Sequence, residues 1–404
     1  MVIGMIDLEL DIITFTALAI TLLLIGNYLV NKLEILQKYS IPSPVIGGFG
    51  FALFAWLAYE MNWLSFTMDT TLYDLTMYMF FVTIGLSSSL TLIKKGGKLL
   101  ILYILACWVL AVIQNGTSVL LSFALKIDPL LGLMAGQPAM QGGHGMAASM
   151  APVVEATGVE GALTVGMAAA TYGLIAGSLI GGPLATWLIR KNNVKIESQN
   201  YNYRLNANYK ESKAEINNFG VLKALLLVFV VLAIGFPIAN WITETTSFAM
   251  PGHIFSLFVG IVFRSLLEQQ KKFEIPAKEI NLVSIISLEL FLVMAMMNLK
   301  IWELYDLALP LIIILICQTI IIMLFVTFVL FKVLGKNYDA AVMSGGFMGH
   351  GLGATPNGLM IIDAVCKHFG VKSQRAFLFI PIAGTVLTDI FGVPLFLFIV
   401  NVLS

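Results

Sequence analysis

Two glycine-rich segments, each built around a histidine, carry the residue types best suited to binding a small charged molecule. Residues 142–149 read GGHGMAAS and residues 349–356 read GHGLGATP, one in each half of the 404-residue chain. Glycine adopts backbone conformations that other residues avoid and lets a ligand approach the main chain. Helices that begin at such segments present free N–H groups and partial positive charge, which favour a carboxylate. The two segments together could hold a dicarboxylate.

The candidate substrate-binding residues come from these two segments and their immediate surroundings. They are Gly142, Gly143, His144, Gly145, Ser149, Gly349, His350, Gly351, Gly353, Thr355 and Asn357. Close helix packing through small residues is the alternative interpretation of the glycines, but it explains neither the paired histidines nor the Pro356-Asn357 break. The histidines could orient the loops, contact the substrate or form a metal pair, although no carboxylate or thiolate stands at ligand spacing.

A carboxylate in the last apolar segment is the candidate for binding a cation. Asp389 lies in an apolar surrounding, where a charged residue costs on the order of 2.5–3.5 kcal/mol on insertion scales and is a functional candidate by default. It could ligate sodium together with the oxygens of Thr385, Thr388 and Gln141, since hard cations prefer oxygen ligands. A bond to a substrate ammonium and a structural hydrogen bond are the alternatives. Glu289 is a second such carboxylate and a possible proton site.

Membrane-spanning helices must position these residues. Hydrophobic residues make up 59% of the chain and charged residues 11%, whereas soluble domains have about 45–50% and about 25%. A helix needs about 20 apolar residues to cross the hydrocarbon layer. Ten segments meet this need: about 12–30, 44–62, 71–92, 98–125, 162–189, 221–241, 252–267, 281–299, 307–331 and 374–402.

Two further segments, about 129–157 and 338–366, could each be a full span, but they are too polar to face lipid and are predicted to form re-entrant hairpins. Asp128 and Asp339, near their starts, are expected to be helix N-caps. With both hairpins re-entrant, the basic loops fall in the cytoplasm and both termini outside, as the positive-inside rule requires. No basic residue precedes the first apolar segment, so it is expected to be a spanning helix and not a secretory signal peptide.

The two halves of the chain are related by an internal repeat. Residues 176–180 read AGSLI and residues 383–387 read AGTVL, in addition to the two glycine-histidine segments. Five spans per half is an odd number, so the second half must enter the membrane in the opposite orientation. The predicted fold is an all-α polytopic membrane protein of two inverted-topology repeats, 1–190 and 221–404, each with five transmembrane helices and a re-entrant hairpin. Residues 191–220 are predicted to be a cytoplasmic linker.

Several motifs resemble the bacterial sodium/glutamate symporters, the ESS family. They are YSIPSPVIGG at 39–48, GGHG at 142–145, IGGP at 180–183, GKNYDAAV at 335–342 and GHGLGATP at 349–356. The resemblance spans nearly the whole chain. It implies sodium-coupled uptake of L-glutamate with Na⁺ as coupling ion, and a homodimer whose mobile domains carry the substrate in an elevator-like motion. Glu289 and Arg375 stand where the family is expected to have uncharged residues.

The predicted function is therefore secondary active transport, in the inner membrane of a bacterium, by alternating access. A proton- or sodium-coupled carrier of aspartate or a related dicarboxylate is the nearest alternative, and an ion channel with loops that form a filter is a more distant one. An intramembrane enzyme could use His144 or His350 as a base, but the sequence has no nucleophile at a suggestive spacing from either histidine. An enzyme is therefore not predicted. A neutral net charge without a basic run predicts no nucleic-acid partner.

Overall fold

The computed structural model describes residues 6–38, 41–87, 90–194, 196, 217–246, 250–269, 275–305 and 307–404. Within these residues the chain is mostly helical, as expected of a polytopic all-α membrane protein. Six of the described helices are long and apolar enough to cross a membrane, and they are Ile12–Lys32, Gly97–Leu125, Ala162–Lys191, Asn218–Thr246, Ala277–Met297 and Ala308–Val333.

The described elements follow one another in a simple order. Those of the first half are β1 (Ile6–Leu10), α1 (Ile12–Lys32), α2 (Glu34–Lys38), α3 (Ser43–Glu60), β2 (Leu64–Met68), α4 (Thr71–Ser87), α5 (Leu90–Leu125), α6 (Pro129–Met134), α7 (Gln137–Met140), α8 (Gly143–Glu155) and α9 (Ala162–Lys191). Those of the second half are α10 (Asn218–Thr246), α11 (Gly252–Gln269), α12 (Ala277–Met297), a 3₁₀ turn (Ile301–Leu304), α13 (Ala308–Phe325), a π-helical segment (Val326–Leu330), α14 (Phe331–Val333), α15 (Tyr338–Leu352), α16 (Thr355–Phe369), α17 (Gln374–Ile382), a second π-helical segment (Ala383–Leu387) and α18 (Asp389–Leu403).

The ten predicted spans all correspond to helices, but four differ from the expectation. Helices α3, α4 and α11 are 18, 17 and 18 residues long and fall outside the set of six. The last predicted span, 374–402, is interrupted, because the π-helical segment Ala383–Leu387 separates α17 from α18. Most of the predicted linker, 191–220, lies outside the described residues. Helix α9 ends at Lys191, and helix α10 begins at Asn218.

A two-stranded parallel sheet was not predicted from the sequence. Strand β1 pairs with β2 from Ile6 opposite Leu64 to Leu10 opposite Met68. Each strand leads directly into a helix, β1 into α1 and β2 into α4. The pairing therefore places the beginnings of α1 and α4 on the same side of the molecule. The chain leaves this side through α1 and returns to it through α3.

The described helices pack into two bundles. The first bundle contains α1, α3 and α4 from the first half and α10, α11 and α12 from the second. The second bundle contains α5 to α9 and α13 to α18, with α9 between α8 and α15. Each half therefore contributes its first helices to one bundle and the remainder to the other. The bundles meet chiefly where α12 contacts α8 and where α4 contacts the π-helical segment Ala383–Leu387.

Both segments predicted as hairpins are helical and interrupted near the middle. In the first, α6 and α7 lead to α8, and Asp128 caps α6 by accepting a hydrogen bond from the Leu130 backbone N–H at 2.8 Å, as predicted. In the second, α15 and α16 pack against each other around a break at Gly353 and Ala354. The predicted N-cap at Asp339 is wrong, because Asn337 accepts the capping bond from the Ala340 N–H.

Candidate functional site

The breaks of the two segments that were predicted as hairpins meet inside the molecule. We call residues 141–145 the first tip and residues 353–357 the second tip. Gly143 has φ +65°, and a Cβ atom added there would lie 2.7 Å from the Gly353 carbonyl oxygen and 3.4 Å from the Ala354 Cβ. Only glycine adopts this conformation readily and leaves room for the facing main chain. The residue type at Gly143 thus permits the two tips to touch.

A helix begins at each tip, and neither beginning is capped by a side chain. Helix α8 starts at Gly143 after the N-cap Gly142, and α16 starts at Thr355 after the N-cap Ala354. Pro356 in the first turn of α16 has no N–H to satisfy, as is common at this position. Helix beginnings carry unpaired N–H groups and partial positive charge. Two of them side by side can bind an anion with two acidic groups.

The tips open into a cavity of about 760 Å³ between the two bundles. The first bundle lines it with Pro42, Ser43, Pro44, Phe80, Phe81, Ile84, Ser87, Asn281, Ser284, Leu288, Glu289 and Leu292. The second bundle lines it with Gln141, Gly142, Gly143, His144, Gly145, Met146, Leu174, Ala354, Thr355, Pro356, Asn357, Gly384 and Asp389. Its volume suits a small ligand together with ions or water.

The structure brings together about half of the candidate residues. Those that line the cavity are Gly142, Gly143, His144, Gly145, Thr355, Asn357, Gln141 and Asp389. Those behind the lining are Ser149, Gly349, His350, Gly351, Gly353 and Thr388. The side chain of Thr385 lies outside the described residues. The sequence pattern therefore identified the tips, and the structure separates the residues at the cavity surface from those that support them.

His144 presents one ring nitrogen to the protein and the other toward the cavity. Its Nε2 lies 2.9 Å from the hydroxyl of Thr171, and that hydroxyl donates to the Met167 carbonyl at 2.9 Å. Because the hydroxyl has a single hydrogen, Nε2 must be the donor to Thr171, and a neutral ring keeps Nδ1 as an acceptor. His144 can thus take part in binding with a ring whose orientation is fixed by α9.

His350 is placed differently from its counterpart in the first tip. Its ring is fully buried, and within the described part of the chain neither nitrogen has a hydrogen-bond partner. A Cβ atom added at Gly384 would lie 2.9 Å from the His350 Nδ1 and also close to the Thr355 hydroxyl. His350 therefore supports the cavity wall at Thr355 and Gly384 from behind.

Asp389 and Gln141 both belong to the cavity lining and both have side-chain oxygens without a described hydrogen-bond donor. The Asp389 side chain is 8% exposed, and no described residue donates a hydrogen bond to it or forms an ion pair with it. The Gln141 Nε2 donates to the Gln114 Oε1 at 2.8 Å and to the Cys107 carbonyl at 3.3 Å. This fixes the amide and leaves Oε1 buried without a partner in the described structure. A carboxylate and a free amide oxygen are suitable ligands for a hard cation.

Gln114 connects these parts of the site. Besides accepting from Gln141, its Nε2 donates to the Gly351 carbonyl at 2.9 Å, and its own carbonyl accepts from the Gln318 Nε2 at 2.7 Å. Gln114 and Gln318 are both fully buried. Gln114 therefore joins the first tip and α15 through its side chain and α13 through its main-chain carbonyl.

Two predicted site residues have their polar atoms engaged within the second bundle. The Thr388 hydroxyl donates to the Ala383 carbonyl at 2.9 Å, in the π-helical segment just before Asp389. The Ser149 hydroxyl donates to the Met146 carbonyl at 2.8 Å and is fully buried. Both hydroxyls satisfy backbone carbonyls of their own segment.

Asn357 fastens the start of α16 to α9. Its Nδ2 donates to the Leu174 carbonyl at 3.2 Å, and its Oδ1 accepts from the Ser178 hydroxyl at 2.7 Å. The residue is fully buried although part of it borders the cavity. The two bonds hold the second tip in place.

Substituting Asn357 by Ala is expected to destabilise the detergent-solubilised protein, because both bonds to α9 are lost and the Leu174 carbonyl loses a donor. Interhelical hydrogen bonds in membrane proteins contribute about 0.6 kcal/mol on average and up to about 1.7 kcal/mol, so the thermal midpoint should fall by a few degrees. Fluorescence-detected thermal unfolding measures this. Ser178→Ala, which removes one of the bonds, should have a smaller effect, and an unchanged midpoint in both variants would contradict the assignment.

Arg375 is explained by a contact away from the cavity. Its guanidinium lies 3.7 Å from one carboxylate oxygen of Asp339, and the Ser373 hydroxyl donates to the other oxygen at 2.7 Å. These contacts join the start of α15 to the start of α17. Arg375 is half-exposed and is absent from the cavity lining.

The wall contributed by the first bundle was not identified from the sequence, apart from Glu289. Asn281, Ser284 and Leu288 follow one another at intervals of three and four residues on α12, which places them on one face of a helix. Polar residues at helical spacing in an apolar span were the available signal. Ser43, by contrast, lies in the motif at 39–48, whose first two residues lie outside the described part of the chain.

Comparisons with known proteins identify the family of the chain. The sodium/glutamate symporter of Escherichia coli (strain K12) is 35% identical over 385 residues, which cover 95% of each chain. The sodium/glutamate symporter of Haemophilus influenzae is 33% identical over 383 residues, which cover 94% of each chain. The sequence model of the sodium/glutamate symporter family matches residues 8–371. The chain belongs to the sodium/glutamate symporter family.

Proposed function

We propose that the protein is a secondary active transporter that imports L-glutamate together with sodium ions by alternating access. The observation that carries the proposal is the cavity between the bundles, which is lined by two uncapped helix beginnings, by Asp389 and by Gln141, whose Oε1 is buried without a partner in the described structure. The helix beginnings suit the carboxylates of an acidic amino acid. The oxygens of Asp389 and Gln141 suit a cation that neutralises the charge of this substrate. The names of the related proteins support this pairing of substrate and ion.

The substrate-binding residues of this proposal are the tips of the two hairpins. The backbone N–H groups at Gly143 and His144 in α8 and at Thr355 in α16 bind the carboxylates, aided by the Thr355 hydroxyl and the His144 ring. The remaining candidates, among them His350, Gly351 and Ser149, keep these groups in position. Glycine at the first tip allows the main chain, and not a side chain, to face the ligand.

Sodium acts as a co-substrate in this proposal. Asp389 and Gln141 supply its ligands, together with Thr385 and Thr388, which lie close to Asp389 in the chain. Glutamate carries a net charge of −1, and its entry against a negative interior costs about 2.3 kcal/mol per 100 mV. One sodium ion cancels this charge, and a second allows the membrane potential to drive uptake.

The second bundle is the part that moves in an elevator-like mechanism. It carries both tips, Gln141 and Asp389, so the ligands travel with it while the first bundle forms the opposing wall. The equal division of each half between the bundles supports the inverted repeats predicted from the sequence. The proposal includes re-entry of the hairpins from opposite faces, both termini outside the cytoplasm, a homodimer and a place in the bacterial inner membrane.

Uptake by the purified protein in liposomes tests this function. With sodium outside and potassium inside, radiolabelled glutamate should accumulate above the external concentration and saturate with glutamate and with sodium. Equal sodium on both sides should abolish accumulation, because the gradient supplies the free energy. Protein-free liposomes serve as the control. Uptake that proceeds equally well in potassium, or a current that fails to saturate as in a channel, would contradict the proposal.

A further inference from the structure

Glu289 places a carboxylate on the wall of the cavity that belongs to the first bundle. It lies in α12, one residue after Leu288, and both residues line the cavity. A Cβ atom added at Gly145 would lie 3.5 Å from the Leu288 Cδ1. The segment that carries Glu289 therefore lies against the first tip at the border of the cavity.

The carboxylate has no partner in the described structure. Glu289 is half-buried, and no described residue forms an ion pair with it or donates a hydrogen bond to it. A charged residue within a spanning helix costs several kcal/mol on insertion scales and ordinarily pairs with another group or serves a transported ligand. Because α12 is one of the helices apolar enough to cross the membrane, we expect Glu289 to interact with a ligand in the cavity.

The charges around the cavity define that role. Within the described residues, the ionisable side chains of the lining are His144, Glu289 and Asp389, and neither lysine nor arginine is among them. Two carboxylates therefore face a site whose cationic character comes from helix beginnings alone. An anion with two negative charges and no positive group meets repulsion there, whereas an amino acid brings its own ammonium.

We propose that Glu289 is a specificity-determining residue, which selects substrates that carry an ammonium group over dicarboxylates that lack one. This inference rests on the proposed function, in which the tips bind the carboxylates of an acidic amino acid. Glu289 attracts the ammonium and repels a dianion from the wall opposite the tips. Asp389, on the second bundle, belongs to the cation that accompanies the substrate.

Competition by glutarate tests the proposal, because glutarate has the carbon chain of glutamate without the amino group. Sodium-dependent uptake of radiolabelled glutamate by reconstituted protein is measured at pH 7.5 against increasing glutarate. The quantity of interest is the inhibition constant of glutarate divided by the KM of glutamate. In Glu289→Gln this ratio should fall about tenfold, which corresponds to about 1.4 kcal/mol.

Two further variants complete the design. Glu160→Gln, which removes an exposed carboxylate outside the cavity, should leave the ratio unchanged. Ser284→Asp adds a carboxylate to the same wall and should raise the ratio, which provides a test in the opposite direction if Glu289→Gln does not fold. An unchanged ratio in a Glu289→Gln protein that transports, or an unchanged ratio in Ser284→Asp, overturns the proposal. Failure of the wild type to transport glutamate would instead contradict the proposed function.

Discussion

Substituting Asp389 by Asn is expected to abolish the activation of glutamate uptake by sodium. The side chain keeps its size but loses the negative charge that a buried cation requires, and the Gln141 amide oxygen alone is a poor substitute. Removing one partner of a buried charge pair costs about 2–5 kcal/mol, so uptake at moderate sodium should fall by roughly 100-fold or more. Initial uptake rates measured over a range of sodium concentrations reveal the loss.

A matched variant separates this effect from a general loss of negative charge. Asp363 lies on α16, pairs with Lys367 and does not line the cavity. Asp363→Asn should therefore retain sodium activation with nearly wild-type half-saturation. If Asp389→Asn protein that is folded and reconstituted shows the same sodium dependence as the wild type, Asp389 is not a sodium ligand.

Substituting Gly143 by Ala should lower transport by about 100-fold while the protein still reaches the membrane. The left-handed backbone at φ +65° costs an alanine about 1–2 kcal/mol, and the added methyl group would lie 2.7 Å from the Gly353 carbonyl oxygen. The two tips must then move apart. Because displacement of a binding group by about 1 Å can reduce a rate about 100-fold, the geometry of the anion site should suffer more than the stability of the fold.

Gly50→Ala provides the control for this substitution. Gly50 lies within α3 and is absent from the cavity lining, and an added Cβ atom would have no neighbour within 4 Å. Alanine is favoured over glycine in a helix interior by about 0.5–1 kcal/mol, so this variant should transport normally. Uptake rates of both variants are compared at equal amounts of reconstituted protein. Normal uptake by Gly143→Ala would show that the tips do not need to touch.

The sequence indicated which segments meet at the cavity because the signals in those segments are local. Glycine, histidine and proline in otherwise apolar surroundings identified both tips, and one intramembrane carboxylate identified Asp389. The helices that place them were recognisable from apolar length alone, including α9 and α13. Periodicity and composition are properties of a short window and need no knowledge of the fold.

The features that escaped prediction depend on contacts between distant parts of the chain. Strands β1 and β2 are five residues each and acquire their identity by pairing across more than fifty residues. The wall at Asn281 and Ser284 becomes part of a cavity only because α12 packs opposite α8. Likewise, the sequence does not say that the polar atoms of Asn357 face α9. Whether a polar side chain supports the fold or meets a ligand is decided by its tertiary neighbours.

The hydrogen bonds of Gln114 have a consequence for cooperativity. Its amide takes one bond from Gln141, whose oxygen is available to a cation, and gives one to the Gly351 carbonyl next to the second tip. In the proposed function, a shift of Gln141 on sodium binding is therefore passed to the end of α15, which precedes the second tip. Coupling between two bound species is reciprocal in free energy. If sodium strengthens the binding of the anion, the anion must therefore strengthen the binding of sodium by the same free energy.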